Sequence, residues 1–148
     1  MLKWNDIMAF ATKGNPKPDR RLDLTESEWR ERLSEDDFYI LRQHGTERSF
    51  TGAYCESHDP GLYQCKGCDN LLFDSSIKFE SGTGWPSFTQ PISENSIKYI
   101  KDTSFGMVRV EIQCNVCDGH LGHVFPDGPA PSKLRYCVNS ASIKLKTS

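Results

Sequence analysis

Cys65-Lys66-Gly67-Cys68 and Cys114-Asn115-Val116-Cys117 are two Cys-x-x-Cys pairs about 45 residues apart, and their reading decides the fold. A single pair is ambiguous between a redox dithiol and half of a metal site. Two pairs can each form a tight knuckle that turns both thiolates the same way, and four such thiolates satisfy a tetrahedral Zn2+. The gap exceeds that of a compact zinc ribbon, so several strands must lie between the knuckles. Two disulfides or one redox dithiol are the competing readings, and iron also accepts four thiolates. A closed four-cysteine zinc site has no open coordination position, so its expected role is to stabilise the fold rather than to catalyse.

Working outward, the segments around the knuckles read as short strands. They are 62–64, 70–73, 98–100, 106–113, 120–125 and 142–146, punctuated by Asp59-Pro60-Gly61, Gly82-Thr83-Gly84, Asp118-Gly119 and Asp127-Gly128-Pro129. Ahead of them, residues 23–44 read as a collar of two short helices. Thr25 with Glu28 is a capping-box signal, Ser34 with Asp37 repeats it more weakly, and Gly45 marks the stop. The charges of this collar read as a solvated face without functional role. Residues 1–22, ending in Gly14-Asn15-Pro16-Lys17-Pro18, have the composition of a flexible arm. The expected architecture is one mainly β domain over 23–148. Two small antiparallel sheets at 45–146 are braced by the zinc site, with short helices at the N-terminal side.

Composition excludes some function classes. The chain has 148 residues, 36% of them hydrophobic and 11% aromatic, enough for a real core. A net charge of −2 without a clustered basic face offers nothing to a phosphate backbone, so no nucleic-acid partner is expected. No apolar run approaches membrane-spanning length, and the first residues do not resemble a signal peptide. Free thiols beside a thiolate metal site point to a reducing cytoplasm.

Three further segments carry chemistry. In Ser81-Gly82-Thr83-Gly84-Trp85-Pro86-Ser87-Phe88 the glycines permit sharp turns and Pro86 restricts Trp85 to an extended conformation. The indole so projected suits a small apolar group such as a methyl on sulfur, although Trp85 also reads as a plain core aromatic. In His120-Leu121-Gly122-His123-Val124-Phe125-Pro126-Asp127 the two histidines and the aspartate suit acid/base work near neutral pH. In Arg135-Tyr136-Cys137-Val138-Asn139, strand alternation places Arg135, Cys137 and Asn139 on one face. The guanidinium is then expected to lower the thiol pKa and favour the nucleophilic thiolate. A buried structural cysteine is the other reading of Cys137.

Together these runs resemble the B-type methionine sulfoxide reductases, which reduce the R epimer of methionine S-oxide. The matching segments are SGTGWPSF, the two knuckles, HLGHVFPDGP and RYCVNS, in that order, and the resemblance covers roughly residues 45–146. It implies a β-rich fold of two antiparallel sheets, zinc on Cys65, Cys68, Cys114 and Cys117 away from the active site, and thioredoxin as reductant. It also implies that Cys137 attacks the sulfoxide sulfur and becomes a sulfenic acid. The proton donor would be His123, supported by His120 and Asn139, with Asp127 and Arg135 shaping the polar side. Trp85 would pack on the substrate methyl, with Phe125 as a further substrate contact.

This chain departs from the pattern in one respect. Many members carry the resolving cysteine where Thr83 stands, so that route is closed. Cys55, in Gly52-Ala53-Tyr54-Cys55-Glu56, is the remaining thiol, and the expectation is that it condenses with the Cys137 sulfenic acid. A disulfide needs Cα atoms within about 7 Å, so loop movement can be required. Direct reduction of Cys137 by an external thiol is the other route. Two functions of other classes stay open at this point: a zinc-braced binding module with no catalysis, and a thiol–disulfide exchange enzyme using one Cys-x-x-Cys as its dithiol.

Overall fold

The computed structural model describes residues 1–147. Among the described residues three α-helices come first: α1 (Trp4–Lys13), α2 (Glu26–Arg32) and α3 (Glu35–Arg42). Nine strands follow: β1 (Leu62–Cys65), β2 (Leu71–Asp74), β3 (Lys78–Phe79), β4 (Ser87–Phe88), β5 (Ile97–Asp102), β6 (Arg109–Cys114), β7 (His120–Phe125), β8 (Arg135–Val138) and β9 (Ile143–Lys146). They form a three-stranded sheet, β2-β1-β9, and a six-stranded sheet, β3-β4-β8-β7-β6-β5, antiparallel throughout. The expected fold class, two antiparallel sheets with N-terminal helices and four clustered cysteines, is the one observed.

Local signals account for the collar. The Thr25 hydroxyl accepts from the Glu28 amide at 3.2 Å while Glu28 accepts from the Thr25 amide at 3.1 Å, satisfying two orphan donors of α2. Ser34 caps α3 through the Asp37 amide. At the far end of α3 the left-handed residue is His44 (φ 58°), one position before the expected glycine. The collar charges are not merely solvated. Arg32 donates to the Gly67 carbonyl at 3.0 Å and Arg42 to the Cys117 carbonyl at 2.7 Å, because the helices lie directly over the knuckles.

Residues 1–22 contain a helix that composition did not reveal. Ile7 of α1 is fully buried, and Phe10 stacks on Tyr99 of β5 at 5.7 Å. Asn15 then pairs with the backbone of Tyr99 in both directions, at 2.9 and 2.7 Å, so its amide side chain extends the sheet edge. A lone edge of β5 is thereby covered.

The two sheets meet through aromatics. Phe73 of the smaller sheet stacks on Phe88 of the larger at 4.4 Å, Tyr63 meets Phe88 edge-on, and Tyr136 meets Phe73 edge-on. The Tyr136 and Tyr99 hydroxyls satisfy one another at 2.6 Å inside this layer. Strands β3 and β4 went unread in the sequence because two residues cannot display alternation. They matter nonetheless: β4 sets Ser87 beside Cys137 on β8.

Candidate active site

The sulfur atoms occupy two separate environments. At the knuckles, Cys65, Cys68, Cys114 and Cys117 are all buried, with Sγ atoms within 4.8 Å of one another. The Sγ atoms of Cys65 and Cys117 lie 3.7 Å apart and those of Cys68 and Cys114 3.5 Å apart. Both are far too long for a disulfide, whose sulfurs lie about 2.05 Å apart. They fit one tetrahedral ion, whose metal–sulfur bonds of about 2.3 Å place sulfurs roughly 3.7 Å apart. Asn70 donates toward Cys114 Sγ at 3.6 Å, an amide contact suited to thiolate charge. These four residues can therefore hold a single metal ion, and they leave no side for a substrate.

Cys137 sits in the larger sheet, half-buried, at the edge of a cavity of about 280 Å³. The cavity is lined by Thr46, Trp85, Arg109, His120, Gly122, His123, Phe125, Cys137, Val138 and Asn139. Strand register explains the gathering. On β7 and β8, His123 lies directly opposite Cys137 and Phe125 opposite Arg135. His120 is three residues from His123 and would point to the opposite face of a regular strand. An irregularity in the β6–β7 register between Ile112 and Gln113 inserts one extra residue into β7 and returns His120 to the cavity. The two imidazoles then meet edge to face at 5.9 Å. Gly122 is required between them, since a Cβ there would collide with the Cys137 carbonyl oxygen.

Trp85 forms one wall, its indole N–H donating to the Glu47 carbonyl at 3.1 Å. Gly84, with φ 90° and the Phe50 amide bonded to its carbonyl, makes the turn that presents the indole. Asn139 lines the cavity but lies one residue past β8, and its side chain is committed to backbone. Its Nδ2 donates to the Leu121 carbonyl at 3.2 Å and its Oδ1 accepts from the Glu47 amide at 3.1 Å. Asp127 is outside the cavity with its side chain 62% exposed. It holds Arg135 by two hydrogen bonds, at 2.8 and 3.2 Å, and the guanidinium stacks on Phe125 at 4.3 Å. Asp127 thus acts on the site through Arg135 and not directly.

Cys55 does not line the cavity. Its carbonyl accepts from Lys78 Nζ at 3.1 Å, on β3, and β4 separates β3 from β8. Thr83 is nearer, contributing a hydrogen bond to the Cys137 thiol.

The electrostatics correct one expectation. Burial pushes the Cys137 thiol above the ordinary cysteine value of 9.0. The Arg135 charge pulls it down, as read from sequence, and hydrogen bonds from Thr83 and Arg135 act in the same direction, but burial outweighs them. Burial likewise lowers the His123 pKa below its ordinary 6.5, opposed by a 2.8 Å hydrogen bond to Asp102. Burial alone would raise the Asp102 carboxyl, yet the bonds from His123 and Ser104 hold it well below the usual range.

Sequence reasoning missed three functional neighbours. Asp102, the last residue of β5, accepts from His123 and also from Arg109 at 3.3 Å. Arg109 lines the cavity and its Nε is buried without a partner. Glu111 accepts from His120 Nδ1 at 2.7 Å and from Gln113 at 3.1 Å. The available signal was the alternation Arg109-Val110-Glu111-Ile112-Gln113, which sets three polar side chains on one face of a core strand.

Comparison with known proteins bears on what this geometry does. A family model described as the SelR domain matches residues 33–147. A peptide methionine sulfoxide reductase MsrB of Saccharophagus degradans is 57% identical over 127 residues, spanning 84% of this chain and 95% of that protein. The MsrB of Pseudomonas aeruginosa is 51% identical over 125 residues, 84% of this chain and 95% of the relative. The chloroplastic B1 form of Oryza sativa subsp. japonica is 55% identical over 130 residues, 88% of this chain, which spans 61% of the relative's length.

Proposed function

The chain belongs to the SelR-domain family of peptide methionine sulfoxide reductases, the MsrB enzymes, and from that premise we propose that it reduces the R epimer of methionine sulfoxide in peptides through Cys137. As a member of that family it is an oxidoreductase. One observation carries the mechanistic reading: His123 stands directly across the β7–β8 ladder from Cys137, with the Trp85 indole lining the same cavity. The cavity takes one side chain rather than a larger ligand.

The Cys137 thiol passes its proton to His123 and attacks the sulfoxide sulfur as the thiolate, forming an S–S bond, while His123 delivers that proton to the sulfoxide oxygen. The S–O bond and the newly formed S–S bond then break as the oxygen moves to the cysteine sulfur, and methionine leaves with its sulfur reduced by two electrons. Cys137 is oxidised by two electrons to the sulfenic acid. Protonation of the oxygen avoids an oxyanion in a partly apolar pocket. His120 and Arg109 hold the polar side, Asp102 orients His123, and Asp127 fixes Arg135. Trp85 and Phe125 receive the methyl and methylene groups, so epimer choice follows from which side of the sulfur is apolar.

Recycling then requires a second thiol. Cys55 attacks the sulfenic sulfur, water leaves, and a Cys55–Cys137 disulfide forms, which a dithiol protein such as thioredoxin reduces. Residues 46–61 contain no helix or strand, so this segment is the one able to carry Cys55 toward β8. The four knuckle cysteines hold a structural Zn2+, in keeping with their number, burial and spacing. The six cysteines are outside disulfides, which suits a reducing compartment such as the cytoplasm, and no helix among the described residues is long and apolar enough to cross a membrane.

The test is turnover of the two separated epimers of a peptide methionine sulfoxide with dithiothreitol, for wild type and Cys137→Ser. Reduction of the R epimer alone, lost in the variant, is expected. Turnover that survives the substitution would sink the nucleophile assignment, and a folded metal-loaded protein reducing neither epimer would favour the binding module. Mass-spectrometric mapping after a single turnover should show Cys55 linked to Cys137, and its absence would remove Cys55 from the cycle.

A further inference from the structure

We infer that His44, Glu111 and His120 form a second divalent-cation site at the rim of the cavity, and that its occupancy inhibits the enzyme. The three side chains come from different elements, α3's C-terminal flank, β6 and β7, yet their ligand atoms lie within 4.8 Å of one another. Glu111 Oε2 is the common point, 3.2 Å from His44 Nε2 and 2.7 Å from His120 Nδ1. Two imidazoles and one carboxylate are the donor set of an open zinc site with one or more positions left for water. Metal–ligand bonds of about 2.0–2.2 Å put neighbouring donors roughly 3.3 Å apart, which the His44–Glu111 pair already meets. The His120–Glu111 pair opens by about 0.6 Å as the metal replaces the proton shared between them.

Access and rigidity are both provided. Glu111 and His120 are buried and fixed by the sheet, while the His44 side chain is 58% exposed and can close on an arriving ion. His44 does not line the cavity and takes no part in the chemistry described above. Its ring already lies 5.2 Å from that of His120. A bound ion would tie up His120 and set two positive charges close to His123, opposing proton transfer from Cys137 to that ring. That consequence rests on the reductase reading, whereas binding of the ion does not.

Two measurements test this with the metal-loaded protein. Thiols would compete for added metal, so calorimetric titration with Zn2+ uses the Cys55→Ser/Cys137→Ser variant, with and without His44→Asn. Asparagine tolerates the left-handed backbone at residue 44 and removes the imidazole. One further ion per chain is expected, with affinity about tenfold or more lower after His44→Asn. No further ion, or equal affinity in both proteins, overturns the site. Turnover with a phosphine reductant is then followed against Zn2+ for wild type and His44→Asn. Basal rates should match, while inhibition of the variant needs about tenfold more Zn2+. Equal sensitivity overturns the inhibitory role. A protein without reductase activity would still be judged by the calorimetric arm, so the two readings fail separately.

Discussion

The knuckle end and the cavity end of this molecule use the same element in opposite ways. At the knuckles four sulfurs are sealed among Trp29, Leu41 and the collar, with arginines bonded to the surrounding carbonyls. At the cavity one sulfur faces an opening, across from an imidazole, with the Arg135 guanidinium beside it. The difference teaches that a cysteine's role is set by what surrounds it. Four thiolates behind apolar cover have a metal ion as their natural partner, whereas a single half-buried thiol beside a space can meet a substrate.

The comparison breaks most visibly on removing sulfur from each end. Cys114→Ser should cost the chain its metal and, with it, a large share of the roughly 10 kcal/mol that a structural zinc site supplies to folding. This is comparable with the whole stability of a domain, so loss of the cooperative thermal transition is expected in calorimetry. Cys137→Ser, by contrast, should leave the melting temperature nearly unchanged. If both variants melt alike, the division of sulfur into structural and reactive sets is wrong.

A smaller effect separates the braces from the chemistry. Arg42 donates to the Cys117 carbonyl and stacks on Trp29 at 4.5 Å. Arg42→Met should lower stability by about 1–3 kcal/mol and hasten metal loss to a chelator, with kcat unchanged. A fall in kcat at constant stability would show that the two ends are coupled.

The smallest expected effect is a displacement on the pH axis. His123 titrates below 6.5 and Cys137 above 9.0, so the singly protonated pair prevails between them. The kcat/KM profile should be a plateau, falling on the acid side as His123 gains a proton and on the alkaline side as Cys137 loses one. Asp102 raises the His123 pKa, so Asp102→Asn should move the acid limb to lower pH. Arg135 lowers that of Cys137, so Arg135→Met should move the alkaline limb higher. An acid limb unmoved by Asp102→Asn would assign it to another group.

Much of this was legible in the chain because the signals were local. The Cys-x-x-Cys spacing, the Thr25–Glu28 capping box and the alternation of Arg135 and Cys137 each depend on residues within one turn or strand. The α1 helix was hidden by a flanking Gly-Asn-Pro-Lys-Pro composition, although Ile7 and Phe10 supply its buried face. The arginines over the knuckles were read as solvated because nothing local shows that a carbonyl 35 or 75 residues away will accept from them.

By itself, then, the sequence determined the grouping of four of its cysteines, the antiparallel β character and three of the segments that line the cavity. Short-range spacing and side-chain chemistry are sufficient for each. Tertiary structure decided the rest. The extra residue in β7 turned His120 onto the face of His123, the β5–β6–β7 packing supplied Asp102 and Glu111 to the histidines, and burial reversed the expected shift of the Cys137 thiol. Register and desolvation are properties of strands already assembled, and no window of sequence contains them.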